Sequence, residues 1–175
     1  SDVCSSDLDG RKRFVRLVPL HRHLLSPRKT PSRVVFVCTH NSARSQLAAG
    51  LWRQLTGGAA TSAGTEPAER VHPLAIDTAR RHGLDLEGTR PTRATSGMLR
   101  GATVITVCDQ AHDELARALG SPVSRPMSRL HWSVPDPVVV GSARAFENAF
   151  NDIVSRITPR TSLTEDRNNT KGERQ

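Results

Sequence analysis

Eight consecutive residues, Cys38-Thr39-His40-Asn41-Ser42-Ala43-Arg44-Ser45, set a thiol, five residues, a guanidinium and a hydroxyl in one short segment. They follow the apolar run Val34-Val35-Phe36-Val37 and open a helical pattern. A loop that leads from a strand end into a helix N-terminus can turn its amide N–H groups inward around a tetrahedral oxyanion, with the helix dipole behind it. Arg44 adds a planar fork able to hold two oxygens. In such positive surroundings the Cys38 thiol is expected to give up its proton below its free value and become the nucleophile. Ser45 can donate a hydrogen bond to that thiolate, and Asn41 can pin the loop through its side-chain amide. Thr39, His40, Asn41, Ser42, Ala43, Arg44 and Ser45 therefore form the expected oxyanion cradle, with His40 placed to tune the charge at its mouth. A C-x5-R spacing also arises where the cysteine is merely buried and the arginine merely solvated, and the strand-to-helix setting is what favours chemistry here.

Displacing an oxygen from phosphorus or arsenic needs a proton for the leaving group, and the chain offers Val134-Pro135-Asp136-Pro137. Taken alone this is an ordinary turn. Paired with the loop, Asp136 is a rigidly presented general acid. The seven histidines lack the short spacings of zinc ligands, and no metal is expected.

The elements that must position these groups follow from periodicity. Ser45 to Leu55 places Leu47, Leu51, Trp52 and Leu55 on one helical face, after the first strand. Ala60 to Ala63 reads as a weaker strand, and His72 to His82 as a helix with Pro73 near its start and Gly83 past its end. Val104 to Val107 is a third strand, Ala111 to Leu119 a helix, Met127 to Trp132 a fourth strand, and Ser142 to Ile157 a closing helix. Apolar strands separated by helices belong in a parallel α/β sheet covered on both faces.

Composition narrows the function further. With 175 residues the chain has the length of one ordinary domain. No apolar run approaches a membrane span or a signal-peptide core, so a cytoplasmic location is expected. Three cysteines at wide spacing make no disulfide framework. The net charge of +8 is uneven: residues 1–33 carry +5, 34–157 only +2, and 158–175 +1. With no Tyr, four Phe and two Trp, stacking surfaces for single-stranded nucleic acid are not expected.

The two ends read differently from the body. Residues 1–8 (SDVCSSDL) resemble a sequencing adapter translated in frame and are expected to be an artefact, which leaves Cys4 without a role. Residues 9–32 form a basic arm or the remnant of a longer upstream domain. In the second reading Asp9-Gly10 and the RKRFVRLV run resemble the wing strand of arsenic-responsive winged-helix repressors, and any nucleic-acid binding would come only through that missing domain. Residues 158–175 are polar and charge-mixed, as a disordered tail would be.

Residues 33–157 resemble the low-molecular-weight protein-tyrosine-phosphatase superfamily, which also contains the thiol-dependent arsenate reductases. The resemblance implies a four-stranded parallel sheet in order 2-1-3-4. It places the nucleophile on Cys38, the loop asparagine on Asn41, the oxyanion arginine on Arg44, the thiolate-bonding serine on Ser45 and the Asp-Pro acid on Asp136 and Pro137. Two departures stand out: Ala43 replaces the second loop cysteine of many such phosphatases, and Val138-Val139-Val140 replaces the tyrosines that wall a phosphotyrosine ring. An aryl substrate thereby loses grip, whereas arsenate or phosphate needs no wall. By the implied strand order Cys108 lies beside Cys38, where thioredoxin-coupled reductases carry a resolving cysteine; a satisfied core cysteine is the other reading. Their third cysteine falls on Leu115, so the last electrons would come from an outside thiol, mycothiol or glutathione with a redoxin, and no bound cofactor is expected. Three functions result: arsenate reduction, hydrolysis of phosphotyrosine or a small phosphoester through a phosphocysteine, or service as the sensor domain of a DNA-binding regulator.

Overall fold

A computed structural model describes residues 33–118, 126 and 128–158. The adapter-like octapeptide, the basic arm and the residues from 159 on lie outside the described residues, and with them the only ground for the regulator reading.

Four parallel strands, β1 (Val34–Cys38), β2 (Ala60–Gly64), β3 (Thr103–Thr106) and β4 (Ser128–His131), form one sheet in the order β2-β1-β3-β4. The two central strands are buried along their whole length, which explains the unbroken apolar run of β1; β3 buries a threonine at each end. At the edge β4, with the sequence SRLH, is exposed throughout, so the expectation of uniformly apolar strands fails there. An edge strand has a neighbour on one side only and can carry polar residues.

Helix α1 (Arg44–Thr56) links β1 to β2, and α4 (Asp109–Ala118) links β3 towards β4. These two connections step outward from the centre in opposite directions. Right-handed crossovers therefore put α1 and α4 on opposite faces of the sheet. On the α1 face lies α6 (Ala143–Ile157), with α2 (Pro73–Arg81) packed against α6. Phe36 anchors that face, wholly buried between Trp52 and Trp132 at ring-centroid distances of 5.9 and 5.5 Å; each such pair contributes about 0.5–1.5 kcal/mol beyond area burial.

The four-residue helices α3 (Ser96–Leu99) and α5 (Pro137–Val140) were not expected from periodicity. Each is set by its cap: the Thr95 hydroxyl accepts from Met98 N, and the Asp136 carboxylate accepts from Val138 N. Because the chain leaves β1 towards β2 and β3 towards β4, the carboxyl ends of β1 and β3 flank the switch point of the sheet, the crevice where open α/β sheets bind ligands. Cys38 ends one of these strands, and Cys108 lies two residues past the end of the other.

Candidate active site

The loop from Cys38 into α1 is shaped by where its carbonyls go. Cys38 O accepts from Thr65 N, Thr39 O from Glu66 N, His40 O from Ala68 N and Ser42 O from His72 N, at 2.8–3.2 Å. Asn41 O accepts from Gln46 Nε2 at 3.2 Å. All peptide bonds here are trans, and in a trans peptide the carbonyl and the following N–H point in opposite directions. With five successive carbonyls tied to the surrounding protein, the N–H groups from Thr39 to Ala43 turn towards the centre of the loop. One of them, Asn41 N, donates to Cys38 Sγ at 3.2 Å. Helix α1 begins without a side-chain cap, so its first amides add to the same positive concavity.

Asn41 is the pivot. Its φ of 50° lies in the left-handed region, where asparagine is among the few tolerated side chains. Its Nδ2 donates to Ser45 Oγ at 2.8 Å, while its Oδ1 accepts from Thr92 N at 2.8 Å and Gln46 Nε2 at 3.2 Å. Since Ser45 Oγ already accepts from Asn41, its own hydrogen is free for Cys38 Sγ, 3.0 Å away. Asn41 thus orients Ser45, and Ser45 addresses the sulfur.

Sequence reasoning missed three groups in this support. Gln46 and Thr92 hold Asn41. Gly64 backs the loop so closely that a Cβ there would lie 2.6 Å from Thr39 O and 3.0 Å from Asn41 Cβ. A lone glycine ending a weak strand was the available signal. Because the opposing atoms belong to the loop itself, Gly64→Ala should cost about 1–3 kcal/mol of stability and displace the cradle. Denaturant midpoint and activity, measured together, should both fall; a variant with native activity would show that the loop tolerates the intrusion.

Arg44 is nine-tenths buried. It donates from Nη1 to Val134 O at 3.0 Å and from Nη2 to Asp136 Oδ2 at 2.5 Å. Asp136 Oδ1 accepts from Val138 N at 3.0 Å, so the carboxylate is fixed by α5 on one side and by Arg44 on the other. The loop and this turn enclose a pocket of about 10 Å³, lined by Cys38, His40, Ser42, Ala43, Arg44, Asp136 and Val138. Val138 stands at the rim, and His40 is exposed at the mouth.

The expectation of a depressed Cys38 thiol is not met. Burial pushes the thiol above its ordinary value; hydrogen bonding with Ser45 pulls it down, nearby Cys108 pushes it up again, and Arg44 pulls it down least. The physical reason is burial: the sulfur sits almost out of reach of water, and taking a thiolate out of water outweighs what Ser45 and Arg44 return.

Cys108 is buried, and its Sγ lies 3.5 Å from Thr39 Oγ1, on the residue next to Cys38. Strand order thus brings the second thiol to the loop. The residue seven positions on, Leu115, is buried in the core. Among the described residues no group of three metal-ligating side chains occurs, and no helix is long and apolar enough to cross a membrane.

A parallel sheet of this order, with a loop running from a cysteine to an arginine at its switch point, defines an α/β protein of the low-molecular-weight phosphatase type. The chain belongs to the family described as low molecular weight phosphotyrosine protein phosphatase, which matches residues 33–167. An arsenate reductase of Bacillus subtilis (strain 168) is 33% identical over 108 residues, covering 59% of this chain and 73% of that protein. A glutaredoxin arsenate reductase of Synechocystis sp. (strain ATCC 27184 / PCC 6803 / Kazusa) is 47% identical over 58 residues, 32% of this chain and 44% of that one. The tyrosine phosphatase Wzb of Escherichia coli K30, solved with sulphate, shares the fold with a TM-score of 0.62 at 23% identity, over 73% of this chain and 94% of its own.

Proposed function

We propose that the chain is a thiol-dependent arsenate reductase acting through Cys38, in the cytoplasm, where thiol reductants are supplied. The observation that carries this reading is the second buried thiol, Cys108, set against Thr39 of the oxyanion loop; the similarity to an arsenate reductase supports it. Arsenate is held by the inward amides and by Arg44. The Cys38 sulfur attacks arsenic, an As–O bond breaks, and the departing oxygen leaves as water, taking the thiol proton and a second proton delivered through Asp136. Cys108 then attacks the Cys38 sulfur. The S–S bond forms as the S–As bond breaks, its electron pair stays on arsenic, and As(V) leaves as As(III) arsenite. Two equivalents of an outside thiol, mycothiol or glutathione with a redoxin, return the disulfide to two thiols.

Hydrolysis of a phosphoester is the second reading, favoured by the placement of Asp136 beside Arg44, where a leaving-group acid would stand. Water would then cleave a phosphocysteine and Cys108 would have no task. Cys108→Ser separates the two. Thiol-coupled arsenite formation should fall at least about 100-fold, since the relay loses its attacking sulfur, while release of para-nitrophenol from its phosphate should stay within a few-fold of the native rate. Parallel loss of both activities would identify Cys108 as core packing. Efficient hydrolysis of phosphotyrosine peptides, with no arsenite from any thiol system, would establish the phosphatase instead.

A further inference from the structure

Beside the catalytic pocket lies a groove of about 410 Å³ between α5 and α6, walled by Pro137, Val140, Ala145 and Ala149, with Arg144 and Asn148 along one side. Asp136 lines both this groove and the pocket of Cys38. The two cavities differ in what they admit. The catalytic pocket is narrow, closed in by the Cys38 loop and the Asp136 turn. The groove falls in the size range of small-molecule sites.

Arsenate reduction by this chain needs an outside thiol. The sequence has three cysteines, of which Cys38 and Cys108 serve the loop and Cys4 falls in the adapter-like segment. Reducing equivalents must therefore arrive from outside and reach the Cys38 sulfur past its rim. Asp136, which lines both cavities, stands on that rim.

The groove's polar groups state what it would hold. Arg144 is exposed and makes no hydrogen bond or ion pair among the described residues, so its guanidinium is free for an anion. Asn148 stands four residues on, one turn or about 6 Å along the same face of α6, with an amide suited to a peptide group. The carboxylate of Asp152, a turn further, is held by Arg156 at 2.9 and 3.1 Å. A free cation, an amide one turn away and an apolar floor match a short peptide that carries a carboxylate at one end.

We propose, resting on the reductase reading, that the groove between α5 and α6 binds the reducing cosubstrate, a small peptide thiol with a free carboxylate, Arg144 taking the carboxylate and Asn148 the peptide backbone. From there the thiol attacks Cys38 of the Cys38–Cys108 disulfide and releases Cys108. A second thiol displaces Cys38 from the mixed disulfide. Two thiols become one disulfide, and their two protons end on Cys38 and Cys108. On charge grounds the site favours glutathione over mycothiol, whose sugar-linked cysteine offers no carboxylate.

S-methylglutathione, which cannot react, tests the site apart from the chemistry. Titrated into the full chain, it should shift the amide NMR signals of Val140, Ala145 and Asn148. Arg144→Glu should weaken that binding about tenfold or more, as expected for loss of a charge-assisted hydrogen bond and its reversal to repulsion. In turnover, the same variant should lower the ratio of the glutathione rate to the dithiothreitol rate by a similar factor. No shifts in the groove, shifts with phenyl phosphate instead of S-methylglutathione, or an unchanged rate ratio in Arg144→Glu would each overturn the proposal. The reductase reading fails separately, on the absence of arsenite with every thiol including dithiothreitol, and the NMR titration decides the groove in either event.

Discussion

Cys38→Ser is expected to abolish turnover, by at least about 10⁴-fold, while arsenate and phosphate still bind within a few-fold of their native affinity. Loss on that scale is what removing a covalent nucleophile produces in enzymes of this logic. Binding survives because other groups supply it. The carbonyls of Cys38, Thr39, His40 and Ser42 remain tied to the segment 65–72, so the inward amides stay in place, and Arg44 keeps its anchor on Val134 O. Serine is close to cysteine in size, and the hydroxyl of Ser45 has an oxygen to meet in place of the sulfur. Thermal stability should accordingly change little. Calorimetric titration with phosphate, alongside single-turnover arsenite formation, checks both halves. Substantial residual turnover would remove Cys38 from the nucleophile's role, and loss of binding together with turnover would mean that the sulfur organises the loop as well.

The loop could be read from sequence because everything that defines it is local. An unbroken apolar run fixes β1, a 3.6-residue pattern fixes α1, and the intervening residues have the types an oxyanion demands. Cys108 was also within reach, since the strand order implied by the family resemblance carries its thiol to the loop. What escaped is tertiary or very short. Gln46 and Thr92 act on Asn41 from the helix and from a segment 51 positions downstream, and no periodicity marks such roles. Helices of four residues such as α3 and α5 are made by a cap and leave no stripe to detect. The shift of the Cys38 thiol escaped for a related reason. Its largest cause is burial, which is set by how the sheet, the loop and α1 close over the sulfur and is not written in the local pattern. The ion pair of Arg44 with Asp136, 92 positions away, was equally hidden.

That shared charge makes Asp136→Asn the most informative substitution after the nucleophile, because three readouts should move in different directions. Asparagine retains an oxygen for Val138 N, so the cap of α5 and the wall of the pocket should persist. First, turnover should fall about 10²–10⁴-fold, the usual worth of a leaving-group acid. Second, affinity for phosphate or arsenate should rise about tenfold, since an oxyanion no longer competes with a carboxylate for Arg44 and no longer meets a like charge in a confined pocket. Third, the Cys38 thiol should ionise at lower pH than in the native chain. Burial raises the thiol and the Arg44 cation opposes it; removing the Asp136 carboxylate beside that cation favours the thiolate, so the pKa falls. The pH midpoint of iodoacetamide alkylation at Cys38, followed by mass spectrometry, should therefore move down as phosphate affinity moves up. If the carboxylate only braced the turn, both midpoint and affinity would stay at their native values while stability dropped. If affinity instead fell with turnover, Asp136 would be orienting Arg44 for the oxyanion, and its part in catalysis would be to position the arginine while the leaving group took its proton from solvent.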